Sequence, residues 1–339
     1  MSGSVPPMTG LAFVFPGQGS QTVGMGRAVY LASRRAREIF DEADRVLGYR
    51  LSAICFDGPD ERLNDTAVAQ PAVLTTSVAL LEALAEASSV DHRISDGSEP
   101  RGVAALPRGV APAFVAGHSL GEYTALVAAG VLTFPDALRL VAERGRLAAV
   151  GGARGAMAAV LGMSAAEVER VIESTVARGS AVVANDNGPA QVTIAGDDLS
   201  LSRVSLALAA AGAKKVVPLR ISAPFHFPAM GRIGPDLSAF MRGLTWREPV
   251  VPIVANVSGL PHLAGSIPDT LVRHLTQRVE WLRSVRYMVG LGASTFVELG
   301  AGQVVNGLVK RIADVRLINI SDPLTITGAL SALRRGVPR

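Results

Sequence analysis

Residues 117–121 of the chain read Gly-His-Ser-Leu-Gly, which is the pattern of a nucleophile elbow. An apolar run at 112–116 precedes them and a helix-like run at 123–130 follows, so the turn would lie between a strand and a helix. Glycine permits a sharp bend, which would lift the Ser119 hydroxyl above the first N–H groups of the helix. Because such donors stabilise an oxyanion, the motif predicts a nucleophilic serine. The alternative is a structural serine in a glycine-rich turn.

A nucleophilic serine needs a base, and the chain offers five histidines. His92 lies in a polar stretch and His262 in a turn rich in proline and glycine, so we expect both to be solvated. His118 adjoins the serine, and its side chain should point away from that of Ser119. His226 lies in a proline-bounded loop after a strand and is the candidate base, although a core or loop histidine would show the same pattern.

The sequence leaves open which group would orient the imidazole of His226. Hydrolases with this elbow place an acid between the nucleophile and the histidine in the chain. Asp186, Asp197 and Asp198 all lie in that interval. A backbone carbonyl could hold the imidazole tautomer equally well.

Two features could bind an anion. The guanidinium of Arg144 can hold a carboxylate through two parallel hydrogen bonds, although a surface arginine on a helix would look the same. The loop at 17–21, Gly-Gln-Gly-Ser-Gln, could cradle a phosphate or offer an N–H group to an oxyanion. It has neither the lysine of a Walker sequence nor the glycine spacing of a dinucleotide site.

The composition narrows the class of protein. With 339 residues, 49% apolar and 18% charged, the chain can bury a large core in one or two domains. Its one cysteine, Cys55, excludes an internal disulfide, and we predict no metal site and a buried thiol. Aromatic residues at 5% and the lack of a long basic run disfavour nucleic acid. The net charge of +4 suits either a solvated arginine-rich surface or an anionic partner.

We expect a cytoplasmic protein that does not act at a membrane. We expect no apolar run to be long enough to span a bilayer, and the first ten residues lack the pattern of a signal peptide.

Hydrophobic patterning predicts alternating strands and helices. The predicted strands outside the middle of the chain are 11–15, 114–116, 252–256 and 294–299. The predicted helices there are 28–47, 65–87, 134–150 and 268–288. The segment 88–108 is polar and turn-rich around 90–101, which predicts an exposed loop.

Between 156 and 219 the order of elements is β-α-β-β-α-β, which is typical of a ferredoxin-like fold. We therefore predict an α/β protein with two parts. A large α/β-hydrolase-like domain with a parallel sheet would comprise residues 1–153 and 222–339. A ferredoxin-like small subdomain, residues 154–221, would be inserted in it.

Taken together, these motifs resemble the malonyl-CoA:acyl carrier protein transacylase family, which includes the acyltransferases of polyketide synthases. The resemblance runs from about residue 11 to residue 312. The segments that carry it are 13–21, 117–123, 144–147, 155–162, 223–226, 297–300 and 307–311.

The resemblance implies acyl transfer in two steps. Ser119 would attack the thioester of malonyl-CoA while His226 accepts its proton, and the backbone N–H groups of Gln18 and Leu120 would hold the oxyanion. The phosphopantetheine thiol of an acyl carrier protein would then take the malonyl group. Malonyl-CoA is the substrate and the carrier protein brings its own phosphopantetheine, so the resemblance implies no bound cofactor.

The resemblance also implies roles around the acyl group. Arg144 would pair with the free malonyl carboxylate, and Gln70 and His118 would line the site. Phe225 would disfavour an α-methyl branch. The backbone carbonyl at His274 would orient the imidazole, at a position where the family often has glutamine.

Three alternatives stay open at this stage. An esterase or editing thioesterase would share the elbow but pass the acyl group to water. A transacylase could instead serve another extender unit. A non-catalytic module that binds the carrier protein would be expected to lack Ser119, His226 or Arg144, and all three are present.

Overall fold

The computed structural model of the protein describes residues 10–88, 101–219, 221 and 223–334. Its described residues form nine strands: β1 Leu11–Phe15, β2 Phe114–Gly117, β3 Ala156–Leu161, β4 Ala181–Gly188, β5 Gln191–Gly196, β6 Lys215–Pro218, β7 Ile253–Val254, β8 Thr295–Leu299 and β9 Arg316–Ile320. The α-helices of this part of the chain are α1 Arg27–Ala32, α2 Arg34–Leu47, α3 Leu51–Asp57, α4 Asp60–Asn64, α5 Thr66–Ser88, α6 Gly121–Ala128, α7 Phe134–Gly151, α8 Ala165–Thr175, α9 Asp198–Ala210, α10 Gly234–Met241, α11 Ile267–Arg273, α12 Trp281–Gly290, α13 Val304–Val309 and α14 Pro323–Arg334.

The larger sheet is parallel and has the order β7-β2-β1-β8-β9. Its central strand β1 is apolar throughout because helices cover both faces. Phe13 and Phe15 belong to the larger core cluster on one face, whereas Ala12 and Val14 belong to the cluster on the other. The carboxyl ends of these strands meet at one edge of the sheet, where binding sites of open α/β folds lie.

The smaller sheet is antiparallel and has the order β4-β5-β3-β6, with α8 and α9 in the two crossovers. This is the predicted ferredoxin-like arrangement, and the α/β fold class is therefore confirmed. The four strands lie within the range 154–221. The domain limits at 153/154 and 221/222 stay a prediction.

Helix α7 is positioned by clear local signals. The Thr133 side chain accepts a hydrogen bond from the Asp136 N–H at 3.3 Å, and Pro135 occupies the first turn. Asp136 also places a negative charge at the positive end of the helix. The helix that follows buries Arg144 on its inner side.

Helix α5 meets the length and composition of a membrane span, contrary to our expectation that no segment would. However, 89% of its most apolar 18-residue window is buried inside the protein, where it packs against α2 and α7. The apolar composition of α5 is that of a central core helix.

One other expectation was wrong. The predicted helix 268–288 is interrupted, because α11 ends at Arg273 and α12 begins at Trp281. Between them Val279 pairs with the edge of β4, whose Asp186 N–H donates to the Val279 carbonyl at 2.9 Å. Of the segment 88–108, residues 89–100 lie outside the described part, so the exposed loop around 90–101 stays a prediction. Residues 102–105 form a 3-10 turn with Gly102 and Val103 buried, so the segment is not exposed throughout.

Candidate active site

Ser119 lies in a strained turn between β2 and α6. Its φ is 51°, and Ser119 and His226 are the non-glycine residues with positive φ in the described part of the chain. A Cβ on Gly117 would come within 1.8 Å of the Gly121 backbone, so only glycine fits there. Such strain persists only where neighbouring contacts hold it, and it is a feature of nucleophile elbows.

The tertiary structure places His226 against Ser119. The distance from Ser119 Oγ to His226 Nε2 is 2.8 Å, and that from His226 Nδ1 to the His274 carbonyl oxygen is also 2.8 Å. A carbonyl only accepts, so Nδ1 carries the proton and Nε2 is free to accept the serine proton. His274 can offer its carbonyl because α11 stops there.

His226 is held as a neutral imidazole. It is 2% exposed, and burial, followed by the charge of Arg144, lowers the pKa of its imidazole to about 3. Both ring nitrogens are occupied by Ser119 and the His274 carbonyl. None of the three candidate acids therefore orients the ring, and Asp197 instead caps α9 by accepting from the Ser200 N–H at 2.9 Å.

Two backbone N–H groups beside the serine lack an acceptor. Among the described residues, the Gln18 and Leu120 amides donate to no other group, and both residues line the cavity at Ser119. The two segments lie against each other, because a Cβ on Gly17 would be 2.5 Å from the His118 oxygen and 3.5 Å from the Leu120 nitrogen. These N–H groups are therefore able to bind an oxyanion.

Arg144 is a buried cation that lacks an acidic partner among the described residues. It is 1% exposed, and its Nη1 donates to Gln70 Oε1 at 2.7 Å. Its Nε and Nη2 have no hydrogen-bond partner among the residues that the structure describes. The guanidinium carbon lies 4.1 Å from the centre of the Phe225 ring and 5.6 Å from that of Tyr123. Burial lowers the pKa of Arg144 below its usual value, because the desolvated surroundings disfavour the charged form.

His118 connects the elbow to the smaller sheet. Its Nε2 lies 2.7 Å from Asn187 Oδ1, and Asn187 Nδ2 donates to Thr193 Oγ1 at 3.2 Å. Burial lowers the pKa of His118, so the neutral ring donates to the amide oxygen. As expected, its side chain bonds away from the Ser119 hydroxyl.

A cavity of about 70 Å³ lies between the two sheets. The predicted residues that line it are Gln18, His118, Ser119, Leu120, Arg144, Phe225 and His226. The smaller sheet contributes Asn185 and Thr193, which our sequence analysis did not select. The structure thus brings all the predicted site residues together, with Gln70 behind Arg144 and His274 behind His226.

A buried polar network behind the elbow was also missed. Its members are Glu122, Asn256 and His262, and Glu122 is fully buried. The expectation of a solvated His262 was wrong, because its side chain is 2% exposed and bonds Glu122. His92, the other histidine expected to be solvated, lies outside the described residues. Two sequence signals could have pointed to this network. They are a charged residue, Glu122, in the apolar start of α6, and an asparagine, Asn256, just after the short strand β7.

Comparison with known proteins identifies the family. The acyl transferase domain family matches residues 12–93 and 105–309. The chain is 41% identical over 328 residues to a malonyl CoA-acyl carrier protein transacylase of Escherichia coli K12, covering 95% of this chain and 99% of that one. It is 38% identical over 332 residues to the transacylase of the same name from Bacillus subtilis, covering 96% and 98%.

A solved structure agrees with these relatives. A type II polyketide synthase malonyl-transacylase, in complex with its acyl-carrier protein, aligns with a TM-score of 0.85 at 35% identity, covering 95% of this chain and 99% of that one. Sequence and structure match over nearly the whole length of each protein. The chain therefore belongs to the malonyl CoA-acyl carrier protein transacylase family of acyl transferase domains.

Proposed function

We propose that the protein transfers a malonyl group from malonyl-CoA to the phosphopantetheine thiol of an acyl carrier protein, in fatty-acid or polyketide biosynthesis. The observation that carries the substrate assignment is the pair of unpartnered donors on buried Arg144. A desolvated cation beside a nucleophile and its base favours an acyl group that carries a carboxylate to pair with it. The relatives named above and the complex with a carrier protein support the same donor and acceptor.

In the first half-reaction, Ser119 Oγ attacks the thioester carbon and its proton passes to His226 Nε2. The N–H groups of Gln18 and Leu120 stabilise the oxyanion. Collapse breaks the carbon–sulfur bond, and the CoA sulfur leaves with the proton from His226. The product is a malonyl-Ser119 ester and free CoA.

In the second half-reaction, the carrier thiol gives its proton to His226 and attacks the same carbonyl carbon. The ester bond breaks, and Ser119 Oγ recovers the proton from the imidazole. A carbonyl orients His226 where many hydrolases use an acid, and this suits the substrate because a second carboxylate would repel the malonyl group.

The remaining assignments follow from this chemistry. A thioester is already activated for acyl transfer, so we propose that the protein works without a bound cofactor or metal. We propose a cytoplasmic location, which suits a CoA substrate and the unpaired, buried Cys55 that was predicted. Residues 154–221 would act as a subdomain that closes the acyl site over the large domain 1–153 and 222–339.

Intact-protein mass measurement tests the function. The enzyme is mixed with equal malonyl-, methylmalonyl- and acetyl-CoA, and a holo acyl carrier protein is then added. We expect a malonyl adduct that moves to the carrier and is absent from Ser119→Ala. An adduct of another acyl group would change the extender unit, and one lost to water at the same rate with and without carrier would indicate a thioesterase.

A further inference from the structure

Asn256 bonds the elbow on both sides of the serine. Its Oδ1 accepts from the Ser119 N–H at 2.7 Å, and its Nδ2 donates to the Gly117 carbonyl at 2.6 Å. The asparagine is 1% exposed and lies just beyond β7, next to β2 in the sheet. One amide therefore fixes the backbone at both ends of the strained segment.

Glu122 holds this asparagine from behind. Its Oε2 accepts from the Asn256 N–H at 3.2 Å, and its Oε1 accepts from His262 Nε2 at 2.7 Å. Oε2 also lies 3.7 Å from Nδ1 of His274, the residue whose carbonyl orients His226. A single buried carboxylate thus lies beside both Asn256, which bonds the Ser119 backbone, and His274, whose carbonyl orients His226.

We propose that Asn256 and Glu122 are positioning residues for acyl transfer, because they hold the serine elbow and the His274 segment in one buried network. Neither residue lines the cavity at Ser119, so neither contacts the substrate. Displacing reacting groups by about 1 Å can slow an enzyme roughly 10²-fold, so the network acts on the rate of acylation more than on binding.

The fold contains a matched network away from the cavity. Glu298 is also fully buried and accepts from the Asn306 N–H at 2.7 Å, and Asn306 Nδ2 donates to the Ile318 carbonyl at 2.9 Å. This pair anchors α13 to the larger sheet and makes no bond to the elbow. It provides controls with the same chemistry and comparable burial.

The test compares Asn256→Asp with Asn306→Asp, and Glu122→Gln with Glu298→Gln. In each aspartate variant an oxygen replaces the amide donor and faces a carbonyl. In each glutamine variant an amide NH2 group replaces one carboxyl oxygen, so one hydrogen-bond acceptor is lost. Thermal melting of all four proteins sets a temperature at which each is folded.

Two rates are measured at that temperature. The first is single-turnover acylation by malonyl-CoA, together with its dissociation constant. The second is inactivation by phenylmethylsulfonyl fluoride, in which a bond forms from Ser119 Oγ to sulfur, fluoride leaves and His226 takes the proton. The probe has no carboxylate, so its rate reports the nucleophile without Arg144.

We expect both rates to fall about 10- to 100-fold in Asn256→Asp and Glu122→Gln, with little change in malonyl-CoA affinity. The two control variants should keep wild-type rates. Equal rates in the elbow variants and their controls would refute the positioning role, even if all four lose stability. Glu122→Gln, the more conservative change, decides the matter if Asn256→Asp does not fold.

The inference rests on Ser119 being the proposed nucleophile, and the probe separates the two claims. A wild-type enzyme that reacts with the probe but transfers no malonyl group would refute the proposed function. The ratio of probe rates between variants and controls would still decide the positioning role. A wild-type Ser119 that reacts with neither malonyl-CoA nor the probe would overturn both.

Discussion

Replacing Arg144 by alanine tests the proposed recognition of the malonyl carboxylate most directly. Two donors of the buried Arg144 guanidinium have no acceptor in the described part of the wild-type chain. Arg144→Ala would leave the malonyl carboxylate desolvated and unpaired. Breaking a buried pair by removing one partner costs about 3–5 kcal/mol, which corresponds to a loss of roughly 10²- to 10⁴-fold in kcat/KM for malonyl-CoA.

Acetyl-CoA provides the internal control for this variant. An acetyl group has no carboxylate to pair, so its loading rate should be unchanged or higher when the buried cation is removed. The assay is competition between malonyl- and acetyl-CoA for acyl-enzyme formation, read by intact mass at short times. An unchanged preference for malonyl over acetyl would refute the carboxylate-pairing argument.

Gln70→Glu is the complementary change. The new carboxylate would lie about where Gln70 Oε1 now meets Nη1 at 2.7 Å, and it would neutralise Arg144 from within the protein. We expect malonyl loading to fall toward that of Arg144→Ala while the packing around α5 is kept. Wild-type loading by Gln70→Glu would show that the arginine does not act through its charge.

Three further predictions concern Phe225, His226 and Glu298. Phe225→Ala should raise methylmalonyl loading relative to malonyl loading about 10-fold, because one methyl group in a pocket is worth about 1–3 kcal/mol of binding free energy. An unchanged ratio of the two adducts in the competition assay would show that Phe225 does not exclude the branched group. Because the pKa of His226 is lowered to about 3, the acylation rate should stay level from pH 8 to pH 5, and a midpoint near 6.5 in single-turnover kinetics would contradict this. Burial raises the pKa of Glu298 to about 7, so the folded state retains a proton that the unfolded chain releases near pH 4.5. The free energy of unfolding should therefore fall between pH 5 and pH 8, by on the order of 3 kcal/mol relative to Glu298→Gln, in urea titrations at the two pH values.

The sequence alone predicted a nucleophilic serine and most of the architecture. Short-range rules suffice there: the elbow needs Gly117 for its close approach, and apolar runs of five or six residues make buried strands. The order of elements in 156–219 predicted the smaller sheet for the same reason, since each strand and helix shows its own periodicity. The order of several motifs along the chain then predicted the family.

The tertiary structure decided which groups face each other across long stretches of chain. His226 meets Ser119 from 107 residues away, and Asn256 reaches it from 137 residues away. Periodicity could not show that the helix after 268 breaks to present the His274 carbonyl, because Val279 in the break pairs with β4, which lies far away in the chain. The burial of Arg144 and His262 could not be predicted from the sequence either, since burial depends on the elements that pack around a side chain.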